Sequence, residues 1–510
     1  MKVDFIVNSH PDVTRIAIVE DGRLMELIVE KADDKRIVGN IYLGRVNAVL
    51  PGMQAAFVDI GLERSAFLHA SDVRSGVIDA RAFAQSLIDE KPLAAEESNQ
   101  PIEDQLKRGQ EVLVQVTKEP IGTKGTRVST RISIAGRYVV SMPGDPVSGV
   151  SRKIGDRRER SRLREIVTKV RTDGFGIIAR TAGTDQNEES FKADVERIVD
   201  RWKEIGELTL RSRPPSLLHQ EHDIVTMTMR DLVSPDMSSF VTDSRDVFSI
   251  ARNYMKRIAP DMSGRIRLYK GKTPIFDEYG LESEIGQILN REVPLKSGGS
   301  LVIDQTEALV AIDVNTRRYV GRKSQENTIL KTNMEAAREV ARQLRLRDIG
   351  GIIVIDFIDM DNEEHREKVL NGLRSELGRD RSPTKTCQVS PLGLVEMTRK
   401  RVRPSLIQAL SEPCSHCGGT GRVLSALSAA TRLERLLERA SLQKDHRNLV
   451  VSIHPDLAEY LLRDDGRRME HIMEKARLAV EFHEDGRMRV DEFKVFSLDT
   501  YEEITSLYDA

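Results

Sequence analysis

Two apolar runs, each carrying an aspartate toward its end, constrain this chain more than any other feature: Leu309-Val310-Ala311-Ile312-Asp313-Val314-Asn315 and Gly351-Ile352-Ile353-Val354-Ile355-Asp356-Phe357-Ile358-Asp359. Short unbroken aliphatic runs bounded by turn residues predict strands buried on both faces, as in parallel sheets. Between them a helical pattern runs from about 324 to 347, with Leu330, Met334, Ala337, Val340, Ala341 and Leu344 on one face and Gly350 and Gly351 as its stop. Strand, helix, strand is a crossover, so the strands are expected parallel and Asp313 and Asp356 at the same edge of one sheet. On neighbouring strands about 5 Å apart, the two carboxylates repel unless one is protonated or a cation is shared. Mg²⁺ suits such a pair, because it takes a few carboxylates and keeps waters for a substrate phosphate. Asn315 falls on the same face as Asp313, placed to donate to a phosphate oxygen, and Asp359 is a more distant acidic candidate.

The 510 residues allow several domains. Charged residues make up 31% but the net charge is only −2, so any polyanion must be gripped by local patches. No run of about 18 apolar residues and no basic-then-apolar leader is present, which predicts a soluble, cytoplasmic chain with no integral membrane segment. Three cysteines, Cys387, Cys414 and Cys417, cannot build a disulfide framework and suit a reducing compartment. In Cys414-Ser415-His416-Cys417-Gly418-Gly419-Thr420-Gly421 the spacing points to metal or redox use. Closed structural zinc takes four ligands: either His416 and a remote group complete the shell, or a second subunit supplies a matching pair. The glycines argue against a redox motif opening a helix, and a zinc shared between two chains is the preferred reading.

Residues 1–35 alternate as a β-hairpin with Asp21-Gly22 at its turn. From 41 to about 130, short strands separated by glycines predict a small β-barrel, interrupted near 74–107 by what reads as a mobile loop insertion. A basic helix (157–171), a strand ending at Arg180-Thr181 and a second helix (near 191–208) follow, with Arg213-Pro214-Pro215 as a boundary. Arg180 and Thr181 pair a guanidinium fork with a hydroxyl, a combination that grips anions. Residues 225–290 alternate strand and helix, 413–421 is a glycine-rich connector, and the tail opens with a helix (426–443) and continues as α/β.

Gly52-Met53-Gln54-Ala55-Ala56-Phe57-Val58-Asp59-Ile60-Gly61, followed by Ala66-Phe67-Leu68-His69-Ala70-Ser71, resembles the S1 RNA-binding domain, an OB-fold barrel. That likeness implies single-stranded bases stacked on Phe57 and Phe67, with Lys124 near the backbone.

Taken with Gly39-Asn40-Ile41-Tyr42, Val49–Asp59, Ala308–Asn315, Ala341–Asp348 and Gly350–Met360, the chain resembles the bacterial ribonuclease E/G family, in its shorter, ribonuclease G type. The resemblance implies a multidomain α+β and α/β fold. An RNase H-like subdomain (1–35 and 225–288) would carry an inserted S1 barrel (36–130) and a 5′-sensor subdomain (131–224). A DNase I-like catalytic subdomain (289–410), a zinc link (411–422) and a small dimerisation domain (423–510) would follow. It further implies that Asp313 and Asp356 bind Mg²⁺, that Asn315 contacts the scissile phosphate, and that Gly136, Val140, Arg180 and Thr181 read a 5′-monophosphate. Cys414 and Cys417 would be half of a zinc site between subunits of a homodimer, two of which make a homotetramer. The implied activity is Mg²⁺-dependent endonucleolytic hydrolysis of single-stranded RNA to 5′-phosphate and 3′-hydroxyl ends, stimulated by a 5′-monophosphate. Its setting would be rRNA processing and mRNA decay, with RNA-processing or degradosome proteins as further partners. A non-catalytic S1 scaffold is the alternative, but it has no use for paired aspartates. One departure from the family pattern is Asp380-Arg381-Ser382-Pro383, where a further basic residue is usual; Lys385 stands nearby.

Overall fold

The computed structural model describes residues 2–32, 37–74, 79–93, 100–119, 125–145, 147–221, 223–233, 236–316, 325–390, 392–401, 403–442, 446–463 and 467–508. The chain divides into two compact units, Met1–Ala409 and Leu410–Ala510. The fold is mixed α/β throughout, and the first unit contains a closed five-stranded barrel.

Three N-terminal strands, Val3–His10, Val13–Glu20 and Arg23–Lys31, form an antiparallel meander. The hairpin expected over 1–35 is therefore the second of two, because Pro11-Asp12 already makes a turn. Asp21 and Gly22 both adopt positive φ (47° and 80°) at the second turn, as a tight hairpin requires. Val3–His10 pairs in parallel with Met237–Thr242, which pairs with Ile266–Leu268, so segments distant in sequence share one sheet. Its inward residues Phe5, Val7, Ile16 and Ile18 pack with Met229, Val247 and Met255.

The barrel runs Ile41–Leu50, Ala55–Asp59, Ala66–His69, Arg127–Ser129, Glu111–Lys118, and closes where Ile41–Arg45 pairs with Glu111–Gln115. Val46, Ala56, Val58, Ala66, Leu68 and Val114 fill it. The reading of 74–107 as a mobile insertion needs correction. Ala80–Ile88 is an α-helix capped by the Asp79 carboxylate, and it packs on the long helix Glu188–Arg211. Phe83 and Leu87 are fully buried in one cluster with Trp202, and each such side chain is worth about 1.5–3 kcal/mol. Gly206 permits the close approach, since a Cβ there would stand 2.7 Å from the Ala84 carbonyl oxygen. The stretches 75–78 and 94–99 lie outside the described residues.

A four-stranded sheet, ordered Gly149–Val150, Phe175–Ala179, Val139–Pro143, Ile134–Ala135, packs with the helices Arg157–Val170 and Glu188–Arg211. Next comes a six-stranded sheet ordered Glu292–Pro294, Ser300–Gln305, Leu309–Asn315, Gly351–Asp356, Leu394–Arg399, Thr384–Val389. Within it Leu309–Asn315 and Gly351–Asp356 are parallel and the other pairs antiparallel. The helices Gln325–Leu346 and Glu363–Leu377 contribute Ala337, Val340, Leu344, Leu370 and Leu373 to its core. The expectation of strands buried on both faces fails here. Val310, Ile312, Val314, Ile353 and Ile355 are buried, while Ala311, Asp313, Asn315, Ile352 and Asp356 are exposed. Helices cover one face only, so the aliphatic run reports propensity for a central strand rather than double burial. The crossover helix ends differently from expectation too. Asp348 takes the left-handed conformation (φ 49°), and Ile349 N–H closes the end by donating to the Leu344 carbonyl at 3.0 Å. Gly350 is needed instead for close packing, because a Cβ there would lie 2.7 Å from Arg401 Cγ.

In the second unit, Ala479–Glu484 and Asn448–Ile453 are parallel, and Phe493–Ser497 and Glu502–Glu503 extend the sheet antiparallel. Leu433, Leu436 and Leu437 of the helix Ala426–Ser441 share its core with Leu449, Val451 and Val495. Among the described residues no helix is long and apolar enough to cross a membrane.

Candidate active site and RNA-facing surfaces

Asp313 and Asp356 are direct register partners on the two parallel strands. Both fall on the open face, because residues paired across neighbouring strands point the same way. Asn315 joins them: its Nδ2 donates to Asp313 Oδ2 at 2.7 Å. Burial, then the charges of Asp313 and Asp359, push the Asp356 carboxyl above its ordinary value. Burial is the larger cause and the neighbouring carboxylates add to it; a cation bound beside Asp356 would act in the opposite sense. Glu396, paired with Val354, and Thr398, paired with Ile352, occupy the same open face, and Lys385 lies across from Thr398. Among the described residues no cluster of three or more His, Cys, Asp or Glu is disposed to hold a metal. A cation here would therefore meet two carboxylates and solvent, a donor set that fits Mg²⁺ better than zinc or calcium.

The Asp380-Arg381-Ser382-Pro383 segment is taken up by internal contacts. Asp380 Oδ2 accepts from Arg399 Nε at 2.6 Å and Oδ1 from the Ser382 N–H at 2.9 Å. Arg381 Nη2 donates to the Leu232 carbonyl at 3.2 Å, and Lys153 Nζ donates to the Arg381 carbonyl at 2.6 Å. Lys385 is the basic residue that this segment sets on the open face.

On the barrel, Phe57 and Phe67 are register partners and only half-buried, while Ala56, Val58, Ala66 and Leu68 between them fill the core. Their rings meet edge-on, with centroids 6.1 Å apart at 72°. The His69 ring follows at 6.4 Å from Phe67 and lengthens the aromatic strip; its Nδ1 lies 2.8 Å from Ser71 Oγ. His69 alternates with Phe67 along one strand, so the period of two was the available signal. Lys124 lies outside the described residues.

Arg180 follows the strand Phe175–Ala179, and Thr181 opens a short 3₁₀ turn, Thr181–Gly183. Arg180 Nη1 donates to the Gly136 carbonyl at 2.5 Å, and Arg180 N–H to the Tyr138 carbonyl at 2.7 Å. Val140 pairs with Ile178 on the neighbouring antiparallel strand, so Gly136, Val140 and Arg180 are brought to one end of the sheet. Asp194, which carries no motif, holds this loop: its Oδ2 accepts from the Tyr138 N–H at 2.8 Å and the Val139 N–H at 3.2 Å. A Cβ on Gly136 would stand 2.4 Å from that oxygen, so only glycine fits. Asp231, also unmarked in the sequence, binds Arg180 at 2.6 Å.

In the second unit Cys414 and Cys417 lie together in the Pro413–Gly421 connector. The Gly421 N–H donates to Cys417 Sγ at 3.2 Å. Backbone N–H groups of Gly421 and Gly419 pull the Cys417 thiol below its ordinary value, and Cys414 adds to this. Gly418, Gly419 and Gly421 all take positive φ (59°, 87°, 69°), the turns that aim those donors at sulfur. The next helix, Ala426–Ser441, is capped by Ser425, so the cysteine pair does not open it. Two neighbouring cysteines, with backbone N–H groups aimed at the Cys417 sulfur, are a donor pair that fits half of a zinc shell.

The model of the "Ribonuclease E/G family" matches residues 133–402, and that of the "RNase E/G, Thioredoxin-like domain" matches residues 413–498. The chain is 39% identical to Ribonuclease G of Escherichia coli (strain K12) over 476 residues, covering 92% of this chain and 95% of that protein. It is 40% identical to Ribonuclease G of Haemophilus influenzae over 465 residues (91% and 92%). Ribonuclease E of Haemophilus influenzae is 37% identical over 512 residues, 99% of this chain but 53% of that longer protein. With both family models matched in order and near-full-length likeness to two such relatives, the chain belongs to the ribonuclease E/G family.

Proposed function

We propose that this chain is an endoribonuclease that hydrolyses single-stranded RNA on the open face of its six-stranded sheet. The register pairing of Asp313 with Asp356 carries the reading, since it places two carboxylates on one accessible face. In this reading Asp313 and Asp356 hold Mg²⁺, which when bound offsets phosphate charge and makes water more acidic. Asn315 keeps one amide hydrogen on Asp313 and offers the second to a non-bridging oxygen of the scissile phosphate. Phe57 and Phe67 stack flanking bases and set the strand's path, and stacking tolerates any base sequence. In-line attack by water leaves a 5′-phosphate and a 3′-hydroxyl, with no 2′-hydroxyl participation.

Gly136, Val140, Arg180 and Thr181 read a 5′-monophosphate, which raises the rate on substrates that carry one. The subdomain frame is the one the family likeness implies: RNase H-like, S1, 5′-sensor, DNase I-like, zinc link and small dimerisation domain. Cys414 and Cys417 provide half of a zinc site whose other half comes from a second copy, giving a homodimer and by repetition a tetramer. The protein acts in the cytoplasm in rRNA processing and mRNA decay.

The test is cleavage of a 5′-monophosphorylated single-stranded RNA beside matched DNA by the purified protein, with and without chelator. Chelator-sensitive cleavage of RNA alone supports the reading. Chelator-resistant cleavage, or binding with no cleavage, defeats it.

A further inference from the structure

The Arg180 guanidinium is engaged by groups of the protein itself. Its Nη1 is held by the Gly136 carbonyl, and its Nη2 donates to Asp231 Oδ1 at 2.6 Å. Asp231 ends the helix Ile224–Asp231, and its carboxylate is also gripped by Arg230, Nε to Oδ1 at 2.9 Å and Nη2 to Oδ2 at 3.1 Å. Arg230 in turn binds Glu221 at 2.6 Å and the Ala135 carbonyl at 3.1 Å. Its side chain is 6% exposed, whereas those of Arg180 and Asp231 are 24% and 28% exposed. Glu221, Arg230, Asp231 and Arg180 thus form an alternating row, balanced in charge, buried at the Arg230 end and open to solvent at the Arg180 end.

We propose that Asp231 is a built-in competitor that restrains the 5′-end pocket: its carboxylate occupies Arg180 until a terminal phosphate displaces it. The inference rests on the reading of that pocket given above. A phosphate monoester carries about −1.5 to −2 at pH 7 and three acceptor oxygens, so it outbids a carboxylate for a guanidinium. An internal phosphodiester carries one negative charge, no more than Asp231, and gains nothing by the exchange. Asp231 therefore tempers the pocket's grip on a terminal phosphate, and its negative charge opposes a dianion about twice as strongly as a phosphodiester. Arg230 keeps the displaced carboxylate paired, so the exchange leaves no charge stranded.

Charge and geometry separate in one substitution. Asp231→Asn retains an oxygen acceptor toward Arg180 and removes the competing charge. The experiment measures kcat and KM for matched 5′-monophosphorylated and 5′-hydroxylated oligomers with wild type, Asp231→Asn and Arg180→Ala. Asp231→Ser is a second variant in case the first fails to fold, as judged by thermal unfolding. The expected result is a 5′-phosphate to 5′-hydroxyl ratio of kcat/KM raised by about tenfold in Asp231→Asn, through a lower KM for the phosphorylated substrate, as removing a like charge roughly 6 Å from a dianion predicts. A wild-type preference that depends on Arg180 but is unchanged or reduced in Asp231→Asn overturns the role of Asp231 alone, making it at most a support for Arg180. Equal cleavage of the two substrates by wild type and by Arg180→Ala overturns the pocket reading, and this inference with it.

Discussion

Asp313 and Asp356 stand opposite one another, residue against residue, on parallel strands joined by the helix Gln325–Leu346, with Asn315 Nδ2 already bonded to Asp313. Parallel register puts the two side chains on one face at the interstrand spacing of about 5 Å. A single crossover fixes the register, and the buried Ile312 and Ile355 beside them keep each strand from slipping by one residue. Asp313→Asn and Asp356→Asn are each expected to lower kcat by about a thousandfold or more, as loss of metal-assisted charge stabilisation implies. Their RNA affinity, measured by fluorescence anisotropy, should change little, since neither lies on the barrel. Weakened binding with cleavage retained would count against the assignment.

Phe57→Ala and Phe67→Ala should do the reverse. Base stacking is worth about 1–3 kcal/mol per base, so the dissociation constant for a short single strand rises roughly ten- to a hundredfold. Because both rings are half-exposed on the outside of the barrel, the melting temperature should fall far less than for a core truncation such as Val58→Ala. A large loss of stability with affinity unchanged would assign these rings to the core instead.

The acid limb of stability gives a separate check on the pocket. Burial alone would raise the Asp231 carboxyl, but Arg230 and Arg180 more than reverse this and leave it below the ordinary aspartate value. A depressed folded value contributes stability above the unfolded aspartate pKa of about 3.9. That contribution is lost as pH falls through the lower folded value. Denaturant unfolding of wild type and Asp231→Asn should therefore show a gap at neutral pH that closes as pH falls below about 4. A gap independent of pH would mean that the carboxylate is not favourably paired.

Much of this arrangement was legible in the residues and some was not, for physical reasons. The crossover and its two aspartates are written in local pattern: an aliphatic run, a 3.6-residue repeat, glycines, a second run. Burial of only one sheet face was not, because a central strand is rich in aliphatic residues whether or not its second face is covered. The helix Ala80–Ile88 was not legible because it is short and the nearby run 94–99 is made of small and polar residues, which masks the spacing of Phe83 and Leu87. Asp231 and Asp194 could not have been singled out, since their partners, Arg180 and the Tyr138 N–H, are remote in sequence. Acidic residues carry no mark of what they will face.

Zinc content reports on the cysteine pair. With Cys414 and Cys417 as a half-shell, the purified protein should carry about half an equivalent of zinc per chain, as four ligands per closed site require. Cys417→Ser should lose it together with the dimer, read by native mass. A full equivalent per chain, or a dimer indifferent to Cys417→Ser, would place the closed site within one chain or remove it.

The most direct test is end-group analysis of a short 5′-monophosphorylated RNA cleaved by wild type and by Asp313→Asn across a Mg²⁺ titration. Cleavage that rises with Mg²⁺, leaves 5′-phosphate and 3′-hydroxyl ends, and disappears in Asp313→Asn is the predicted result. Ends bearing 2′,3′-cyclic phosphate, or equal cleavage by the variant, would contradict the pair of aspartates as the seat of hydrolysis.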